Sequence, residues 1–200
     1  MIEWVLIGGA ALLMTKKPAE REIQSDETIK KPGTGGDGPR PFYSTIGSLP
    51  DIAPENQKGN FKRDYDDVFY EVGRSYGVPF ALLKAHAIKE SSLNRSAFRQ
   101  EPNGKASYGL MQVLWWPNSN RFKNWGFPDD YIRDGSMLYD PEVNVSIACE
   151  IILDNYSRLK NLRDSINAYN TGVKESVRVA PYDYVDKVLG YYSTIIGRTV

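Results

Sequence analysis

Residues 61–79 read FKRDYDDVFYEVGRSYGVP, and the rest of the fold follows from how that run is punctuated. Phe61, Tyr65, Val68, Phe69, Val72 and Tyr76 recur at steps of three and four, which sets them along one face of an α-helix. Gly77 closes that helix. Pro79 is placed to open another as its first helical residue, running from Phe80 to about Ser91 with Leu82, Leu83, Ala85 and Ala87 as packing residues. Further on, Asp140-Pro141 pairs a capping residue with a first-turn proline and is followed by Val145, Ala148, Ile152, Tyr156 and Leu159 in helical register. A last helix is expected after Pro181, with Tyr184, Val185 and Val188 as core residues and Tyr192 and Ile195 in step. No stretch alternates with period two for long enough to require a central sheet. The expected fold class is therefore mainly α, with long loops at about 94–107 and 115–139 and no internal repeat.

Outward from this domain, the N-terminal side changes in kind. Residues 16–60 hold six of the twelve prolines and six glycines and show no apolar periodicity, which is the composition of a flexible linker. Before it, Trp4 to Met14 is an uninterrupted apolar run, followed at once by Thr15, Lys16 and Lys17. That run is shorter than the roughly 20 residues a spanning helix needs, and as an export signal it lacks a basic start, so a short membrane anchor is the preferred reading. The chain thus divides into an anchor segment (1–15), a linker (16–60) and one folded domain (61–200).

Composition narrows the partners. Lys and Arg number 25 and Asp and Glu 25, so the formal charge is zero and a phosphate-reading surface is not expected. Nucleic acid is not an expected partner. The single Cys149 excludes an intramolecular disulfide, and with His86 the only histidine no Cys/His metal cluster can be built. No cofactor or metal is called for. The chemistry must then come from acids, amides and hydroxyls.

Glu90 is the leading candidate. It stands near the C-terminal end of the helix that starts at Pro79, in Ala85-His86-Ala87-Ile88-Lys89-Glu90-Ser91-Ser92. A carboxylate there feels the negative end of the helix dipole and, if partly buried, loses hydration; both effects favour the protonated form, which suits it to act as an acid. Three further blocks accompany it in order: Ser107-Tyr108-Gly109-Leu110-Met111-Gln112, Leu138-Tyr139-Asp140-Pro141-Glu142-Val143-Asn144, and Ala168-Tyr169-Asn170-Thr171-Gly172. With Glu90-Ser91, these blocks resemble the lytic transglycosylase domain of the soluble lytic transglycosylase (SLT) type, over roughly Tyr65 to Ile195. Arg95 stands where that family often has proline, and Ala148 where a small glycine is frequent.

The resemblance implies a lysozyme-like helical fold with a cleft for the glycan strands of peptidoglycan. It implies Glu90 as catalytic acid and base, Ser91 beside the substrate, Met111 and Gln112 in the block lining the cleft, and Tyr169 and Asn170 facing the glutamate. Tyr169 is expected to hydrogen-bond the Glu90 carboxyl, and Gln112 and Asn170 to offer neutral groups to N-acetyl and hydroxyl substituents. No second acid lies in a matching block, and the resemblance implies that the sugar's own C6 hydroxyl closes on the anomeric carbon to leave a 1,6-anhydro end. His86 is expected to be a structural histidine, and Lys84 and Lys89 to point to water. Trp115, Trp116, Phe122, Trp125 and Phe127 are expected to form a satellite core, one or two of them stacking on sugar rings. Two other functions stay open: a goose-type lysozyme-like hydrolase, and an inactive wall-binding or virion module. For location, a bacteriophage particle whose membrane carries the enzyme to the wall is favoured over the bacterial envelope, because the basic pair after the apolar segment would hold the domain in the cytoplasm.

Overall fold

A computed structural model of the chain describes Ile46 and residues 49–101, 104–115, 134–172 and 183–199. The apolar run 4–14, most of the linker, Trp116, Phe122, Trp125 and Phe127 lie outside the described residues. Within them the order is a short 3-10 turn (Pro54–Asn56), α1 (Asp66–Tyr76), α2 (Phe80–Ser91), β1 (Phe98–Gln100), β2 (Ala106–Tyr108), β3 (Val113–Leu114), a second 3-10 turn (Ser136–Tyr139), α3 (Pro141–Leu159), α4 (Leu162–Thr171) and α5 (Asp183–Ile196). The expected mainly helical fold is the one observed.

The reason α2 is central can be read in its sequence. From Phe80 to Ala87 every residue is buried, so this helix has no solvent stripe over its first two turns, as expected of a segment apolar nearly all round. It packs on α5 and α1, α3 packs on α1 and α4, and α4 touches α5. Leu82 and Leu83 are fully buried, each contributing about 1.5–3 kcal/mol by removal from water. Pro79 takes the N-cap position rather than the first helical one. Gly77 ends α1 in the left-handed conformation (φ 71°), where a side chain would be strained. At α3, Asp140 caps as expected: its Oδ1 accepts from the backbone N–H of Glu142 (2.9 Å) and Val143 (3.2 Å).

Two features depart from the expectation. A three-stranded antiparallel sheet, ordered β1-β2-β3, starts in the first long loop and runs past it to Leu114, with Phe98 opposite Tyr108 and Tyr108 opposite Val113. Strands of two or three residues are too short to show alternation. β1 is exposed throughout and β2 buried throughout, so even the pattern they carry is not period two.

The second departure lies in residues 49–60, which composition places in the linker but which are bonded to the helices. Tyr192 donates to the carbonyl of Pro50 (2.5 Å), and the N–H of Lys58 donates to the carbonyl of Ile195 (2.8 Å). Gln57 is buried and donates from Nε2 to Asp66 Oδ2 (2.8 Å), while its Oε1 accepts from Lys84 Nζ (2.7 Å); Lys84 is also ion-paired with Asp66. Lys84 therefore does not reach water, because a buried carboxylate and amide receive it instead. Burial pushes the ammonium's pKa down, and the Asp66 carboxylate opposes that shift.

Candidate active site

Glu90 sits in the last turn of α2, half-buried, with its carboxyl turned toward α5. The Tyr184 hydroxyl donates to Glu90 Oε1 at 2.5 Å, across 94 residues of sequence. This is the position expected for Tyr169, and the structure corrects that assignment. The Tyr169 hydroxyl instead donates to the backbone carbonyl of Met111 (2.8 Å), bracing the turn before Gln112. Tyr184, expected only as core, is buried yet carries its one polar atom to the acid.

Burial raises the pKa of Glu90 above the usual carboxylate range, and it is the largest influence. The Tyr184 hydrogen bond and the charges of Lys89 and Arg99 pull the other way, and Glu101 pushes up again. Loss of hydration thus outweighs two nearby cations. Burial and the Glu90 charge push both tyrosine hydroxyls well above their ordinary value, so each stays a neutral donor. Lys89, expected to point to water, lies with Nζ 5.2 Å from the centre of the Tyr184 ring, a cation–π contact that keeps its charge beside the site.

His86 lies one helical turn before Glu90 and is fully buried. Its Nδ1 is 3.1 Å from the Tyr184 hydroxyl, and its ring stands between those of Tyr169 (5.0 Å) and Tyr184 (6.0 Å). Burial pushes its pKa down to about 3, so the ring is neutral under ordinary conditions.

One buried side chain makes three bonds to the block from Tyr108 to Gln112 and the turn beside it. Asn144, fully buried in the first turn of α3, donates to the carbonyls of Tyr108 and Leu138 (both 2.9 Å) and accepts the N–H of Met111 (2.8 Å). Gly109 makes this approach possible. A Cβ there would stand 2.3 Å from the Leu138 carbonyl and 2.5 Å from Asn144 Nδ2, and its φ of +74° also favours glycine. Ser91 ties the end of α2 to the same turn: its hydroxyl donates to the Leu110 carbonyl (2.7 Å) and receives the N–H of Asn94 (3.1 Å).

The other expected site residues divide. Gln112 is buried, in the left-handed region at φ 46°, and its amide hydrogens go to the carbonyls of Ala97 (3.2 Å) and Gly109 (3.0 Å) rather than outward. These two bonds tie the residue before β1 to the turn. Met111 is fully buried, a packing residue whose backbone serves Asn144 and Tyr169. Asn170 is exposed at the end of α4, next to Tyr169. Trp115 is partly buried against the core. Ser92, Leu93 and Gln112, all non-glycine residues with positive φ, flank the acid and the turn facing it, and such conformations persist only where the surroundings enforce them. Glu101 is held by Arg99 (2.7 Å) and Ser107 (3.1 Å), and these bonds, Arg99 first, lower its pKa.

Chemically, the site offers, among the described residues, one carboxyl with a raised proton affinity, oriented by a neutral phenol at a helix end. That arrangement suits general acid catalysis followed by general base catalysis by the same group. Residues 67–185 match the family described as the transglycosylase SLT domain. The chain is 26% identical over 133 residues to Protein IpgF of Shigella flexneri, covering 66% of this chain and 84% of that protein. Among solved structures, the 70 kDa soluble lytic transglycosylase SLT70 of Escherichia coli superposes with a TM-score of 0.54 at 26% identity, over 67% of this chain and 24% of that one. The fold is also that of lytic transglycosylase Slt of Pseudomonas aeruginosa, with a TM-score of 0.56 at 17% identity over 70% of this chain and 25% of the other. The chain spans about a quarter of the length of these two larger proteins.

Proposed function

The chain belongs to the transglycosylase SLT domain family, and on that premise we propose that it is a peptidoglycan lytic transglycosylase with Glu90 as both acid and base. The observation that carries this reading is the half-buried Glu90 carboxyl, raised in pKa and held by Tyr184. Among the described residues, Glu101 is the acid whose charge acts on Glu90, and its Oε1 is engaged with Arg99 and Ser107.

The reaction follows from one acid acting twice. Protonated Glu90 donates to the glycosidic oxygen between MurNAc and GlcNAc as the bond to the anomeric carbon breaks and positive charge builds there. Glu90 is then a carboxylate beside an oxocarbenium-like centre. It removes the proton of the C6 hydroxyl as O6 bonds to that carbon, giving the 1,6-anhydro ring and returning Glu90 to its starting state. The proton lost to the leaving O4 equals the proton gained from O6, so no water is consumed. Mass analysis of the soluble fragments from purified peptidoglycan tests this directly. Fragments ending in MurNAc one water lighter than the reducing sugar support it, and reducing ends carrying oxygen from labelled water select the muramidase instead.

We also propose that the apolar segment 4–14 attaches the domain to a membrane through the linker, and that the membrane is that of a phage particle reaching the wall from outside. The sequence of that segment and the length of the linker support this placement, which serves local wall penetration during entry. Finding the protein in bacterial envelopes and never in purified virions overturns it.

A further inference from the structure

We propose that His86 is a positioning residue for Glu90: its Nδ1–H donates to the Tyr184 oxygen, Tyr184 in turn donates to Oε1, and Oε2 is left to give up and recover the proton. The inference rests on reading Glu90 as the acid and base.

The argument is one of proton counting along three atoms. The Tyr184 oxygen is 2.5 Å from Glu90 Oε1 and 3.1 Å from His86 Nδ1. A phenol has one proton and donates to one of these neighbours at a time. When Glu90 is a carboxylate, the proton shared by the shorter contact must come from Tyr184. The longer contact is then a hydrogen bond only if His86 carries its hydrogen on Nδ1. The other ring nitrogen, Nε2, is buried with no hydrogen-bond partner among the described residues. An unpaired lone pair there is tolerated better than an unpaired N–H, which favours the same tautomer.

Two consequences follow. A donor behind Tyr184 polarises its hydroxyl and strengthens the bond to Glu90, as hydrogen bonds in a chain reinforce one another. With Oε1 held as an acceptor, the acidic proton resides on Oε2. The charged and titratable groups around these three residues are Lys89 on α2, Arg99 on β1, Glu101 just after it, and Tyr169 on α4; the first three act on Glu90, and Arg99 and Tyr169 on Tyr184. His86 contributes no charge, because burial keeps the ring neutral.

The chain holds a single histidine, so histidine labelled with 15N in the full chain yields the two ring nitrogens of His86 without assignment. The expected spectrum at neutral pH shows Nδ1 protonated and Nε2 bare, with no change of ring charge between pH 8 and pH 5. A spectrum with the hydrogen on Nε2, or a ring that titrates near the ordinary histidine value, overturns the proposal. This readout needs no turnover, so it succeeds or fails independently of the transglycosylase reading.

In peptidoglycan turnover, His86→Leu is expected to lower kcat about tenfold with KM unchanged, the effect of one lost hydrogen bond. His86→Asn, which keeps an N–H near the Nδ1 position, recovers most of it. In a Tyr184→Phe background, His86→Leu is expected to cost no more than about twofold further, because its effect passes through the missing hydroxyl. Independent, multiplying losses overturn the proposal.

Discussion

Replacing Asn144 with alanine tests whether the turn facing Glu90 is built by that one amide. The substitution removes three hydrogen bonds of 2.8–2.9 Å from a fully buried position. Met111 N–H loses its partner in a fully buried residue, which costs about 1–3 kcal/mol, and the two bonds to the Tyr108 and Leu138 carbonyls are each worth about 1 kcal/mol. The total is about 3–5 kcal/mol. For a domain of this size each kcal/mol moves the midpoint by about 2–4 °C. Thermal and urea denaturation followed by circular dichroism should therefore show Tm lower by about 6–20 °C with the m-value unchanged. Glycan turnover measured well below the new Tm should fall as well, because Ser91, Tyr169 and Gln112 all bond to the turn that Asn144 holds. Asn144→Asp does not rescue, since it keeps the acceptor for Met111 but removes both donors and buries a charge. A loss below about 1 kcal/mol would refute the reasoning, because the three groups would then have found other partners at little cost.

Other outcomes follow from the same geometry. Glu90 has a folded-state pKa above its unfolded value, so its ionisation opposes folding; that cost is absent below about pH 4 and grows as pH rises through the folded pKa. Glu90→Gln is thus expected to gain stability relative to wild type between pH 4 and pH 7 in urea titrations, and an unchanged difference contradicts it. Lys84→Ala leaves the Asp66 carboxylate buried without its cation and should destabilise by about 3–5 kcal/mol in the same assay, while Lys187→Ala, at an exposed pair with Asp183, should leave stability unchanged. Tyr184→Phe should lower kcat more than Tyr169→Phe, because the first loses a bond to the reacting carboxyl and the second a bond to the Met111 backbone; the reverse order in steady-state turnover counts against the assignment.

The helices were legible because their signals are local. Asp140-Pro141 caps α3 as its sequence states, and Gly77 stops α1 where the periodicity ends. The sheet was hidden because its longest strand is three residues, below the length at which alternation means anything. Lys84 was misread for a different reason: helical spacing puts it in the middle of a fully buried helix, but its partners Gln57 and Asp66 lie 27 and 18 residues away, one of them inside a proline- and glycine-rich stretch. At the candidate site, Glu90 stands out in the sequence through the ordered blocks around it. Tyr184 was not, since a tyrosine in register with Val188, Tyr192 and Ile195 looks like any core residue, and only the folded chain shows where its hydroxyl lands. For Met111 and Gln112 the position in the block was legible, but the direction of the side chain was not, because the positive φ at Gln112 turns it back toward Ala97 and Gly109.

The central claim is that one carboxyl carries both proton transfers. Its most direct test is the rate at which purified Glu90→Gln releases soluble fragments from peptidoglycan, compared with wild type under conditions where circular dichroism shows both folded. A group that serves as acid and then as base should account for at least about 10³-fold of the rate, and the account predicts a loss of that size with substrate still bound. Release within about tenfold of wild type, with the same fragment ends, would contradict it.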